Sequence, residues 1–123
     1  MSRKANRSLG GRRLVDVIVA AVQEKLAERL TVIDLDGTPA SSDFFIIVQS
    51  ETAVQNIAIA DSVVEHCARL HTHPWQIEGK REGRWILLDF TDIVVHILLP
   101  DLRSYYSLET LWTDGKRTDI TCS

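Results

Sequence analysis

Apolar residues recur every three to four positions at Leu14, Val15, Ile18, Ala21, Val22, Leu26 and Leu30, with Asp16, Gln23, Glu24 and Lys25 between them. That spacing predicts an amphipathic helix from Leu14 to about Leu30 with one buried stripe. The period then shortens. Leu30-Thr31-Val32-Ile33-Asp34-Leu35 alternates in part and runs into Asp36-Gly37 and Pro39, which predicts a strand closed by a turn. Phe44-Phe45-Ile46-Ile47-Val48 is a continuous apolar run of strand length, as expected of a central strand with little exposed surface.

Ser50 is the expected N-cap of a second helix. There Ala53, Val54, Ile57, Ala58, Val64 and Ala68 supply an apolar stripe, and Asp61, Glu65 and Arg69 a wet side. It fades at His71-Thr72-His73-Pro74. Trp75-Gln76-Ile77-Glu78 predicts a short strand, and Lys80-Arg81-Glu82-Gly83-Arg84 after Gly79 a solvent-exposed loop. Trp85 to Phe90 and Ile93 to Leu99 are two strands separated by Thr91-Asp92, close enough to pair as an antiparallel hairpin. Pro100 and Asp101 suit a helix start, and Leu102, Tyr105, Leu108, Glu109 and Trp112 continue at helical spacing.

The order α-β-β-α-β-β-β-α predicts an α/β (α+β) fold: a mixed sheet of about five strands, two long helices mainly on one face, and a short C-terminal helix. So little helical material leaves part of the second face open to a partner.

Charge divides the chain. Residues 1–13 carry Arg3, Lys4, Arg7, Arg12 and Arg13 and no acid, so a net charge of -3 leaves the remaining 110 residues at -8. The expected organisation is a basic disordered leader (1–13), one domain (14–112) and a polar tail (113–123). An acidic body argues against a broad nucleic-acid face and suits a basic partner, although the leader alone could touch RNA. Two cysteines, Cys67 and Cys122, form neither a metal spacing nor a persuasive disulfide framework. With no signal-peptide pattern and no apolar run long enough for a membrane span, a reducing cytoplasmic setting is expected.

Candidate chemistry is sparse. Asp34, Asp36, Asp43, Asp89 and Asp92 fall at strand ends or turns, where carboxylates either satisfy turn backbone or hold magnesium for phosphoryl transfer. The glycine-rich phosphate loop that such chemistry uses is absent. His96 lies inside an apolar strand and is expected to be a buried or half-buried histidine hydrogen-bonded to a nearby carboxylate, since no activated nucleophile accompanies it. Trp85, Leu87 and Asp89 share one strand face. That face is either the partly wet side of the sheet and a binding hot spot for a basic protein, or packing under the last helix.

Taken in order, Asp34, Ser42-Asp43, Ala60-Asp61, Glu78-Gly79, Trp85 to Asp89, and Asp92-Ile93-Val94-Val95-His96 followed by Arg103, Tyr106, Leu108-Glu109 and Leu111-Trp112 closely resemble the ribosomal silencing factor family, RsfS, also called the Iojap-like proteins. The resemblance covers about residues 14–112. It implies a topology similar to the nucleotidyltransferase fold, used without catalysis and without cofactor or metal. It also implies binding to ribosomal protein uL14 on the large (50S) subunit and a block on joining of the small (30S) subunit, which represses translation when nutrients are scarce. Trp85, Leu87, Asp89, Glu78 and Gly79 are the expected uL14 contacts, and Asp92, His96, Arg103, Tyr106, Glu109 and Trp112 a structural signature. Two alternatives stand beside this: a metal-dependent nucleotidyltransferase-like enzyme using Asp43 with Asp89 or Asp92, and a homodimeric ribosome-assembly scaffold.

Overall fold

A computed structural model describes residues 11–25, 27–36, 38, 42–102 and 116–120. Its elements are α1 (Gly11–Glu24), β1 (Arg29–Asp34), β2 (Phe44–Gln49), α2 (Ala53–Ala68), β3 (Gln76–Glu78), β4 (Trp85–Asp89), β5 (Ile93–Leu98) and β6 (Lys116–Ile120). Pro100 to Leu102 open a third helical segment. The six strands form one mixed sheet in the order β3-β4-β5-β2-β1-β6.

The centre of the sheet is the parallel pair β2 and β5, in register from Phe44 opposite Ile93 to Gln49 opposite Leu98. A parallel pair needs a crossover, which α2 provides, and it is stable where both faces are covered. That explains the unbroken apolar run of β2, in which Ile46, Ile47 and Val48 are fully buried on alternating faces. The remaining pairs are antiparallel, including the expected β4–β5 hairpin.

Both long helices lie on one face. Leu14, Val15, Ile18, Ala21 and Val22 of α1 pack with Ile59, Ala60, Val63 and Cys67 of α2 over Ile46, Val48, Ile86, Leu88, Val95 and Ile97 of the sheet. Each buried Leu, Ile or Val contributes roughly 2 kcal/mol. An exposed ion pair such as Arg12 with Asp34, 3.7 Å apart, is worth about 1 kcal/mol at most. Packing therefore seats α1, and the ion pair trims it.

Four expectations need correction. The sheet has six strands, not about five: Lys116–Ile120, expected to be part of a polar tail, pairs with β1 as an edge strand, and Thr31 Oγ1 donates to Asp119 Oδ1 at 2.6 Å. An edge strand with one side in solvent needs little apolar content, so its pattern carries no strong signal. Helix α1 runs from Gly11 to Glu24, so it takes in Gly11, Arg12 and Arg13, expected in the leader, and stops short of Leu30, which belongs to β1. The N-cap of α2 is Thr52, whose hydroxyl accepts from Gln55 N at 3.0 Å. Finally, α2 buries Asn56, Ile59, Ala60, Ser62, Val63 and Cys67, whereas Val54 is 78% exposed. The helix has apolar residues on more than one side, so spacing alone does not choose its buried face.

Asn56 explains why the helix settles as it does. It is fully buried, its Nδ2 donates to Gly83 O at 2.8 Å, and Oδ1 accepts from Ser50 Oγ. The expected solvent loop is thereby tied to the N-terminus of α2: Gly83 is buried, and a Cβ there would stand 2.7 Å from Ala53 O. Replacing Asn56 with Ala takes the amide donor from buried Gly83 O and leaves the Ser50 hydroxyl with Thr52 O, 3.2 Å away. Urea unfolding of Asn56→Ala should show a loss of about 2 kcal/mol, the cost of stranding buried polar groups; a change under 0.5 kcal/mol would contradict this role.

Candidate functional site

Among the described residues, the second sheet face is less covered. Ile33, Leu35, Ile47 and Leu98 form a small buried cluster there, with Phe45, Trp85 and Leu102 packed against it. Because side chains alternate along strands, β4 puts Trp85, Leu87 and Asp89 on this face, and β5 puts Val94, His96 and Leu98 beside them. Trp85, Leu87, Asp89, Val94 and His96 are all half-buried. An open depression of about 350 Å³ is lined by Glu78, Gly79, Trp85, Leu87 and His96.

The β4–β5 register sets Leu87 opposite His96 and Trp85 opposite Leu98, so Trp85 and His96 are diagonal neighbours. Trp85 Nε1 donates to His96 Nδ1 at 3.1 Å, with ring centroids 6.0 Å apart. The Phe45 ring of β2 lies 5.2 Å from the imidazole on its other side. The expected carboxylate partner of His96 is therefore replaced by an indole. Sequence identifies which residues share a face, but the diagonal pairing depends on register.

Gly79 shapes the rim. Its φ is +77°, and a Cβ would lie 2.1 Å from Trp85 O, so no larger residue fits without moving β4. Its carbonyl accepts from Gly83 N at 2.9 Å, linking the rim to the loop held by Asn56. Asp89 stands at the far end of β4, outside the depression lining, and its Oδ1 accepts from Thr91 N at 2.7 Å. That bond braces a turn in which Thr91 adopts φ +77°. Asp92 is buried where β5 begins, and its carbonyl accepts from Asp43 N at 2.7 Å and Phe44 N at 3.1 Å. Arg103, Tyr106, Glu109 and Trp112 lie outside the described residues.

Asn56 was missed in the sequence although its position is informative: counting back from Ile59, Ala60 and Val63 by threes and fours places it on the buried stripe. A polar residue on such a stripe must find partners.

Burial of His96 in the site, and of Cys67 on the helical side of the sheet, disfavours proton-transfer and thiolate chemistry at these two residues. Burial lowers the pKa of His96 to about 4, so the ring is neutral at pH 7. Burial also pushes the Cys67 thiol up to about 12, leaving no appreciable thiolate near neutrality. Among the described residues, no group of three or more His, Cys, Asp and Glu side chains is arranged to hold a metal ion.

The lowered pKa of His96 has a consequence for stability. An unfolded histidine titrates near 6.5, so between that value and 4 the unfolded chain takes up a proton that the folded chain refuses. The contribution of neutral His96 is full above pH 6.5 and is lost as pH falls towards 4. Urea unfolding at pH 7.0 and 4.5 should show the wild type losing about 2 kcal/mol more than His96→Phe; equal losses would contradict it.

The chain matches the profile of a family described as "Ribosomal silencing factor during starvation" over residues 10–122. It is 34% identical over 107 residues to the ribosomal silencing factor RsfS of Bacillus subtilis, covering 87% of this chain and 91% of that protein. It is 29% identical over 112 residues to the mouse protein named mitochondrial assembly of ribosomal large subunit protein 1, covering 85% of this chain and 47% of that one. The fold is similar to a crystal structure of a Bacillus halodurans protein, with a TM-score of 0.76, 31% identity, and coverage of 90% of this chain and 99% of the other.

Proposed function

The chain belongs to the ribosomal silencing factor family, and from that premise we propose that it binds uL14 on the large ribosomal subunit and blocks joining of the small subunit. Silencing of this kind represses translation when nutrients are limiting and requires occlusion, not catalysis. The docking surface is the half-open sheet face centred on Trp85.

The observation that carries this reading is the composition of the depression. Trp85 and Leu87 offer apolar area, Glu78 supplies a negative rim, and the indole is already fixed by His96. Aromatic anchors in partly enclosed pockets carry a large share of interface energy. A side chain held before binding loses less rotamer freedom on association. The acidic body favours encounter with a basic ribosomal protein, and apolar burial slows release.

Glu78 and Gly79 form the edge of this contact, while Asp89 serves it by holding the β4–β5 turn. The basic residues Arg3, Lys4 and Arg7 would add peripheral contact with ribosomal RNA. The setting is the cytoplasm, where subunits join; among the described residues no helix is long and apolar enough to cross a membrane. A second copy would meet a different surface, edge strand β3, where Trp75 and Ile77 are 67% and 42% exposed and Ile77, opposite Leu88, faces away from the Trp85 side.

Trp85→Glu should remain folded by circular dichroism yet lose at least about 30-fold in affinity for purified large subunits, the scale of an interface hot spot. In a subunit-joining assay the same variant should fail to inhibit. Unchanged co-sedimentation of the folded variant would exclude this face.

A further inference from the structure

One polar atom on the Trp85 face has a definite chemical state and, among the described residues, no partner. The indole Nε1–H of Trp85 can only donate, so Nδ1 of His96 must accept and the proton of the neutral ring sits on Nε2. Among the described residues, Nε2 has no hydrogen-bond partner. The ring lines the depression and is half-buried, with Phe45 fixing its plane from the other side. A poorly hydrated donor of this kind gains by meeting an acceptor.

The acceptor can be specified by what surrounds it. An ammonium or guanidinium offers no lone pair to an imidazole N–H. A carboxylate would enter a depression that already holds Glu78, and like charges oppose that approach. A neutral oxygen, carbonyl or hydroxyl, remains, and of these the main-chain carbonyl recurs at every residue of a segment laid along the depression and adds no charge.

We propose that His96 is a binding residue of the docking face: its Nε2–H donates to a main-chain carbonyl of the docked partner segment while its Nδ1 holds the Trp85 indole in place. This rests on the Trp85 face being the ribosome-docking surface. It adds a directional contact to a surface otherwise dominated by apolar area and a rim charge, and so fixes the register in which the partner lies.

The two nitrogens can be separated by substitution. His96→Asn keeps an acceptor near Nδ1 and lacks the distal donor, whereas His96→Gln carries an amide N–H near the position of Nε2 and lacks the proximal acceptor. Affinity for purified large subunits is measured for the wild type, both variants and Trp85→Glu, with the indole N–H resonance of Trp85 followed by NMR in the free proteins. His96→Asn should leave that resonance near its wild-type position yet bind about 10-fold more weakly, as expected for one lost hydrogen bond. His96→Gln should shift the resonance and bind more tightly than His96→Asn.

Binding by His96→Asn within twofold of wild type, while Trp85→Glu loses binding, overturns this inference alone. Wild-type binding by Trp85→Glu overturns the docking face and the inference with it. If His96→Asn does not fold, His96→Phe takes its place in comparison with His96→Gln. The same 10-fold gap is then expected, and equal affinities overturn the donor role.

Discussion

Two helices cover only one face of a six-stranded sheet, and the second face must be finished by other means. The central parallel pair of β2 and β5 makes this constraint acute, because its strands are apolar towards both sides. On the helical side α1 and α2 close over Ile46, Val48, Val95 and Ile97. On the other side a smaller cluster of Ile33, Leu35, Ile47 and Leu98 meets Leu102, and outward from it the sheet is only half-buried. In the proposed function, binding falls to this face, which the described residues cover less completely.

The Trp85–His96 hydrogen bond turns that incompleteness into a defined surface. An unanchored tryptophan at a sheet margin samples several rotamers, and ordering it on binding costs free energy. Here the imidazole holds the indole, Phe45 backs the imidazole, and Gly79 allows the rim to lie against the backbone of β4. The rim is fixed in turn by the Gly79–Gly83 bond and by buried Asn56, so a helix on one side of the sheet helps shape the surface on the other. The neutral state of His96 follows from the same apolar surroundings, which suits a hydrogen-bonding role better than proton transfer at neutral pH.

Much of this was legible in the sequence because burial imposes period. The stripe of α1, the unbroken run of β2 and the β4–β5 hairpin were readable from spacing, as was the shared face of Trp85, Leu87 and Asp89. Weak patterns were harder. β6 is Lys116-Arg117-Thr118-Asp119-Ile120, with a single apolar residue, and only its pairing with β1 reveals it as a strand. Helix α2 has apolar residues on several sides, so its buried face was misjudged and Asn56 was overlooked. The joining of Trp85 to His96 needed the cross-strand register, which no local pattern contains. The family resemblance points to both residues, one as an expected contact and the other as part of an expected structural signature, and the geometry joins them by a hydrogen bond.

The proposed meeting of the Trp85 face with uL14 on the large subunit brings β4 within reach of that protein. It is tested most directly by placing a photoreactive benzoylphenylalanine at Leu87, irradiating the protein with purified large subunits, and identifying the crosslinked ribosomal protein by mass spectrometry. The same probe at Val54, exposed on α2, provides the comparison. Docking through the Trp85 face gives a crosslink from position 87 to uL14 and none from position 54. A uL14 crosslink from position 54 alone, or capture of a different ribosomal protein from position 87, would contradict it.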